Sequence, residues 1–63
     1  MLEQFRKEKG MNQKQMAKEI GVSCSYYCKV EERYQNPSFN FLEKLKKRFP
    51  DADIDKMFFN KKN

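Results

Sequence analysis

Apolar side chains recur along the chain at intervals of three and four residues and nowhere alternate one by one, a pattern that belongs to helices with one buried face. Leu2 and Phe5 open it, and Gly10 follows a run of good helix formers as a residue able to take the left-handed conformation that closes many helices. A second helix is expected behind Asn12, a candidate N-cap, with Met16, Ala17 and Ile20 on one stripe and Gly21 as its stop. Ser23 is placed to cap a third, whose inward positions are Tyr27 and Val30. The segment RYQNPS is turn chemistry: Pro37 disfavours helix at Asn36, and Ser38 can cap the next helix. That fourth helix carries Phe39, Leu42, Leu45 and Phe49 as its apolar stripe and ends at Pro50. Asp53 starts a short fifth helix that packs Ile54 and Phe58, and residues 60–63 read as a polar tail. The expected fold is all-α: five short helices in a single domain over 1–63.

The join between the second and third helices is the most demanding feature. Two helices separated by so short a turn meet at about 90–120°. That geometry needs a very small residue at the crossing, a turn residue free to take positive φ, and apolar side chains on both flanks. Ala17 meets the first need and Gly21 the second, while Met16, Ile20, Val22, Tyr27 and Val30 meet the third.

Length limits the energetics. A chain of 63 residues buries only about 60% of its unfolded surface, so a marginal core and a partner subunit are expected. Fourteen Lys and Arg against nine Asp and Glu give a net charge of +5, which suits a folded domain with one cationic face better than a basic tail. Two cysteines four residues apart, with no histidine, cannot supply the four ligands of a structural zinc site, so neither metal nor cofactor is expected. The absence of histidine, of a nucleophile tied to an acid pair, of a glycine-rich phosphate loop and of mass for a closed cleft argues against an enzyme or a small-molecule ligand. No apolar run is long enough to cross a membrane, so a cytoplasmic address with reduced thiols is expected.

The spaced set around Ala17 and Gly21 resembles the helix-turn-helix of lambda repressor and Cro-type proteins, the Xre family. NQKQMAKEIGVS looks like the core of that motif, KVEERYQNPSF like the segment after it, and IDKMF like its closing helix. The resemblance runs from Leu2 to Phe58 and implies a compact lambda-repressor-like domain whose third helix enters the major groove of double-stranded DNA. Carried over position by position, the base-facing candidates are Cys24, Ser25, Cys28 and Lys29, with Tyr26 at the edge. Lys29 can donate to guanine, and the small Cys24 and Cys28 can lie against a thymine methyl or a phosphate. Gln13 matches a glutamine that bonds the DNA backbone and braces the recognition helix. Ser23, Arg33, Gln35 and Asn36 are further phosphate candidates, Arg33 standing where the family often has Gly. Arg6 and Glu31 match a structural ion pair.

Several alternatives stay open at this level. Tyr26 can bond a phosphate through its hydroxyl or pack on its neighbours, and Tyr27 must find a partner for its hydroxyl in the core. Cys24 and Cys28 share one side of the helix and are either small groove-facing residues or a thiol-reactive switch. Lys46 and Glu43 thin the apolar stripe of the fourth helix. Phe41, Met57, Phe58 and Phe59 therefore exceed what a small core is expected to cover, and they are assigned to a homodimer interface. The implied function is a Cro-like repressor of a phage or other mobile element, acting by occupancy with no residues left for an effector domain. The alternative is a protein-interaction module, such as an antirepressor or inhibitor, that keeps the fold and not the DNA.

Overall fold

Four of the five helices begin on the residue the sequence offers as a cap. In the computed structural model, which describes residues 2–59, the elements are α1 (Leu2–Glu8), α2 (Gln13–Ile20), α3 (Cys24–Glu31), α4 (Phe39–Arg48) and α5 (Ile54–Phe58), with no strand among the described residues. The side chains of Asn12, Ser23, Ser38 and Asp53 accept from the backbone N–H of Gln15, Tyr26, Phe41 and Lys56. Each bond satisfies one of the donors that a helix start leaves unpaired. At α2 the exchange is reciprocal, because the Gln15 side chain accepts from the Asn12 N–H at 2.9 Å. The polar tail expected over 60–63 lies outside the described residues.

The first three helices each close through a left-handed residue, Gly10, Gly21 and Arg33. At the close of α2, Gly21 has φ 93° and ψ 35°, and its N–H and that of Val22 both donate to the Ala17 carbonyl. At the close of α3 the same left-handed position falls on Arg33, the single described residue other than glycine with positive φ, at 67°. Its N–H donates to the Val30 carbonyl and that of Tyr34 to the Lys29 carbonyl, a Schellman closure normally built on glycine. Arg33 thus stands at the family's Gly position in the conformation that a glycine would adopt.

The core is Leu2, Met16, Ala17, Ile20, Tyr27, Val30, Phe41, Leu45, Phe49, Ala52 and Met57. Phe41 sits at its aromatic centre, with Tyr26, Tyr27 and Phe58 rings at 5.7, 6.2 and 6.3 Å. Two expectations are corrected here. The inward stripe of α4 is Phe41, Leu45 and Phe49, and Phe39 is 77% exposed. With Ser38 fixing where the helix starts, Phe39 and Phe41 lie about 200° apart around the axis, so only one of them can face inward. Phe41 and Met57, assigned above to a dimer interface, are 1% and 7% exposed and belong to the core. Phe58 is half-buried edge-on to Phe41, which leaves Phe59, 53% exposed, as the open member of that group. Lys46, which thins the apolar stripe of α4, donates through its ammonium to the Ala52 carbonyl at 2.6 Å and ties α4 to the start of α5.

A methyl group added at Gly21 would meet nothing within 4 Å, so the cost of Gly21→Ala is conformational. It is expected to destabilise by about 1–2 kcal/mol, read as a fall in melting temperature of about 4–8 °C per kcal/mol. At Arg33, also left-handed, the same preference for glycine is expected. Arg33→Gly is expected to be about 1 kcal/mol more stable than Arg33→Ala, and equal melting temperatures for the two variants would contradict the left-handed assignment.

Candidate nucleic-acid interface

A buried carboxylate orients α3. Glu31, in its last turn, accepts from Arg6 Nε at 2.8 Å and from the second Arg6 amino group at 3.4 Å. It also accepts from Gln13 Nε2 at 2.6 Å and from the Tyr27 hydroxyl at 3.0 Å. Arg6 closes the network by donating to the Met11 carbonyl at 2.8 Å. The Arg6 and Glu31 side chains are 11% and 4% exposed. The pair is thus the buried kind, in which one partner left alone is costly.

The charge state reflects this packing. Burial by itself raises the Glu31 pKa, but the hydrogen bonds from Arg6, Gln13 and Tyr27 outweigh it and hold the group below its usual range. The Tyr27 hydroxyl shifts upward, first because it is buried and then because it faces the Glu31 charge. Arg6 is raised by its bond to Glu31. A carboxylate, a guanidinium and a neutral phenol are the stable set.

With Tyr27 and Val30 turned inward, α3 presents Cys24, Ser25 and Lys29 to solvent, with Ser23 exposed at its start. Cys28 is half-buried: its thiol donates to Gln13 Oε1 at 3.3 Å and lies 3.8 Å from the Cys24 sulfur. Gln13 therefore braces α3 at two points through one amide, accepting from Cys28 and donating to Glu31. The Cys28 thiol is pushed up by partial burial, then by Cys24, Glu32 and Glu31, so it is held protonated, against the activated thiolate that a reactive switch would need.

Of the two alternatives left open for Tyr26, the structure shows the packed one. Tyr26 is half-buried, edge-on to Phe41, and its hydroxyl oxygen accepts from the Ser38 N–H at 2.9 Å. It locks α3 to the start of α4 and keeps its own O–H proton for a further acceptor. Arg33, Gln35 and Asn36 are exposed in the loop after α3. One residue on this side escaped the sequence reading. Lys44, on α4, donates to the Gly21 carbonyl at 3.3 Å and so brings an ammonium to the α2–α3 turn; nothing in its local sequence distinguishes it from Lys46 or Lys47.

Charge is distributed unevenly. Helices α2 and α3 hold three lysines, Lys14, Lys18 and Lys29, against two acids, Glu19 and Glu31, which Arg48 of α4 and Arg6 of α1 pair at 2.7 and 2.8 Å. Lys7 and Lys9 outside these helices are paired with Glu3 and Asp51. The helix pair with the exposed polar row is thus also cationic.

The arrangement defines a helix-turn-helix protein, and a profile of the helix-turn-helix family matches residues 2–54. The chain belongs to that family, in its lambda repressor (Xre) branch. Among curated proteins it is similar to the HTH-type transcriptional regulator SinR of Bacillus subtilis (strain 168) and to the protein of the same name from Bacillus licheniformis. Each is 44% identical over 45 residues, which is 70% of this chain and 40% of the relative, so the chain spans less than half the length of those relatives. No solved structure matches. No helix among the described residues is long and apolar enough to cross a membrane.

The lowered pKa of Glu31 fixes the sign of a pH dependence. Its contribution is complete above the ordinary glutamate value, about 4.3, and is lost as pH falls through the lower folded-state value. Urea denaturation across this range is expected to show stability falling with acid, with a flatter acid limb for Glu31→Gln. At neutral pH the same substitution is expected to cost about 3 kcal/mol, because it leaves the Arg6 guanidinium without its countercharge.

Proposed function

We propose that this protein is a sequence-specific, double-stranded DNA-binding transcriptional regulator that acts by occupying its operator. The observation that carries the reading is the solvent-facing row of α3, Cys24, Ser25 and Lys29, held rigidly by the Glu31 network beside a cationic α2. A major groove admits an α-helix presented in this way. Lys29 donates to guanine O6 or N7, Ser25 accepts or donates, and Cys24 fits against a thymine methyl. Phosphate contacts fall to the unpaired N–H groups at the starts of α2 and α3, to Ser23, and to Arg33, Gln35, Asn36 and Lys44. Tyr26 adds its outward O–H. In this reading Gln13 works chiefly as the brace between α2 and α3.

The setting, a Cro-like repressor of a phage or other mobile element, rests on the family resemblance and the small size, and the cytoplasmic address on the lack of a long apolar run. A twofold dimer is part of the proposal, because it spaces two recognition helices by about 34–36 Å, one turn of duplex. Its contact is narrowed to Phe59, the exposed aromatic at the end of α5. A protein-interaction module is the second reading, and the exposed Tyr34 and Phe39, 82% and 77% accessible, are what favour it.

Fluorescence anisotropy against a randomised duplex pool and its selected winners decides between the two. Binding is expected to weaken with salt at a slope of about −0.9 per phosphate neutralised. Lys29→Ala is expected to cost about 1–3 kcal/mol and relax preference at one base pair. No salt-dependent binding to any duplex would sink the reading. Gel filtration of Phe59→Ser is expected to return a monomer, and an unchanged elution volume would move the dimer contact elsewhere.

A further inference from the structure

The two thiols on α3 are absorbed only in part by DNA recognition, and their geometry is specific. The Cys24 and Cys28 sulfurs lie 3.8 Å apart, both as thiols, with Cys24 open to solvent. Helix spacing keeps their β-carbons about 5–6 Å apart, whereas a disulfide needs about 3.5–4.5 Å. Oxidation to a disulfide therefore requires α3 to unwind locally. A bridging atom makes no such demand. Two zinc–sulfur bonds of about 2.3 Å meeting at the tetrahedral angle put their sulfurs about 3.8 Å apart, the spacing already present.

We propose that Cys24 and Cys28 form a bidentate site for one thiophilic d10 metal ion, and that filling it turns the recognition helix away from DNA. The step is ligand exchange without electron transfer: a divalent ion forms two metal–sulfur bonds, two thiol protons pass to solvent, and water completes the coordination. Soft thiolate pairs select ions such as Cd(II) and Cu(I) over the hard Mg(II) and Ca(II). Because the protons must leave, loading strengthens as pH rises.

Loading acts on DNA recognition in two ways. The hydrated ion occupies the face of α3 between the Cys24 and Cys28 positions, where a base pair would lie. It also takes the proton that Cys28 donates to Gln13 Oε1, leaving two acceptors facing each other at the 3.3 Å contact and opening one of the two points at which Gln13 braces α3. The effect on DNA rests on the function proposed above; the metal site does not.

The probe is cadmium chloride added to the reduced protein in a phosphine reductant, monitored by the ultraviolet thiolate-to-cadmium charge-transfer band and by far-ultraviolet circular dichroism. One equivalent per chain is expected, with helicity unchanged and the band lost in both Cys24→Ser and Cys28→Ser. In parallel, cadmium is expected to weaken duplex binding by wild type at least tenfold, and the ratio of affinities with and without cadmium is expected to stay near one for Cys24→Ser, whatever that variant's own affinity. No band, or a band of equal strength in either serine variant, overturns the site whatever the DNA result. A band without any change in DNA affinity overturns the switch. Absence of DNA binding with and without cadmium, with the band intact, leaves the site standing and refutes the regulator reading instead.

Discussion

One carboxylate at the end of α3 gathers donors from three helices, and the remaining geometry depends on it. Arg6 reaches it from α1, Gln13 from α2 and Tyr27 from within α3. Such a charge is a doubtful source of stability, since an apolar cluster of the same volume often does as well. What it supplies is direction. Hydrophobic contact between short helices tolerates rotation and sliding, whereas a carboxylate that is 4% exposed must keep its donors in place or carry an unpaired buried charge. In a domain with so small a core, this fixes which side of α3 faces out.

The network also joins the surface to the interior. Cys28 donates to Gln13, and Gln13 donates to Glu31, so a half-exposed thiol is two hydrogen bonds from the buried ion pair. Tyr26 makes a second link at the other end of the helix, where its hydroxyl holds the Ser38 N–H and its ring meets Phe41. Between them α3 is attached to α1, α2 and α4 by oriented polar contacts as well as by packing. Its outward residues are therefore placed on a rigid element, the condition under which a few side chains can read a surface.

The caps and stops were legible in the sequence because they are local: Asn12, Ser23, Ser38, Asp53 and Gly21 act within four residues of themselves. The Arg6–Glu31 pair came only from the family resemblance, since nothing in a separation of 25 residues marks it. The fourth helix defeated the periodic reading. Phe39 and Phe41 are equally apolar, and the choice between them is made by Tyr26, Tyr27 and Phe58, which lie elsewhere in the chain. Met57 and Phe41 looked surplus for the same reason: the sequence shows how many aromatics there are, not how many neighbours converge on them. The outward row of α3 likewise came from the family resemblance, whereas Lys44 was invisible because its contact, with the Gly21 carbonyl, lies across the fold.

Arg33 is the position where local strain and function meet. A glycine would close α3 without strain, and α2 closes on one at Gly21. Holding an arginine at φ 67° costs free energy that a small domain can ill spare. The same substitution sets a long cationic side chain in the loop directly after the helix, beside Gln35 and Asn36, where a duplex backbone would pass if α3 lay in its groove. Strain kept at a position where relief takes one substitution is the pattern of a site under a demand other than stability. That pattern accords with the phosphate contact proposed for Arg33.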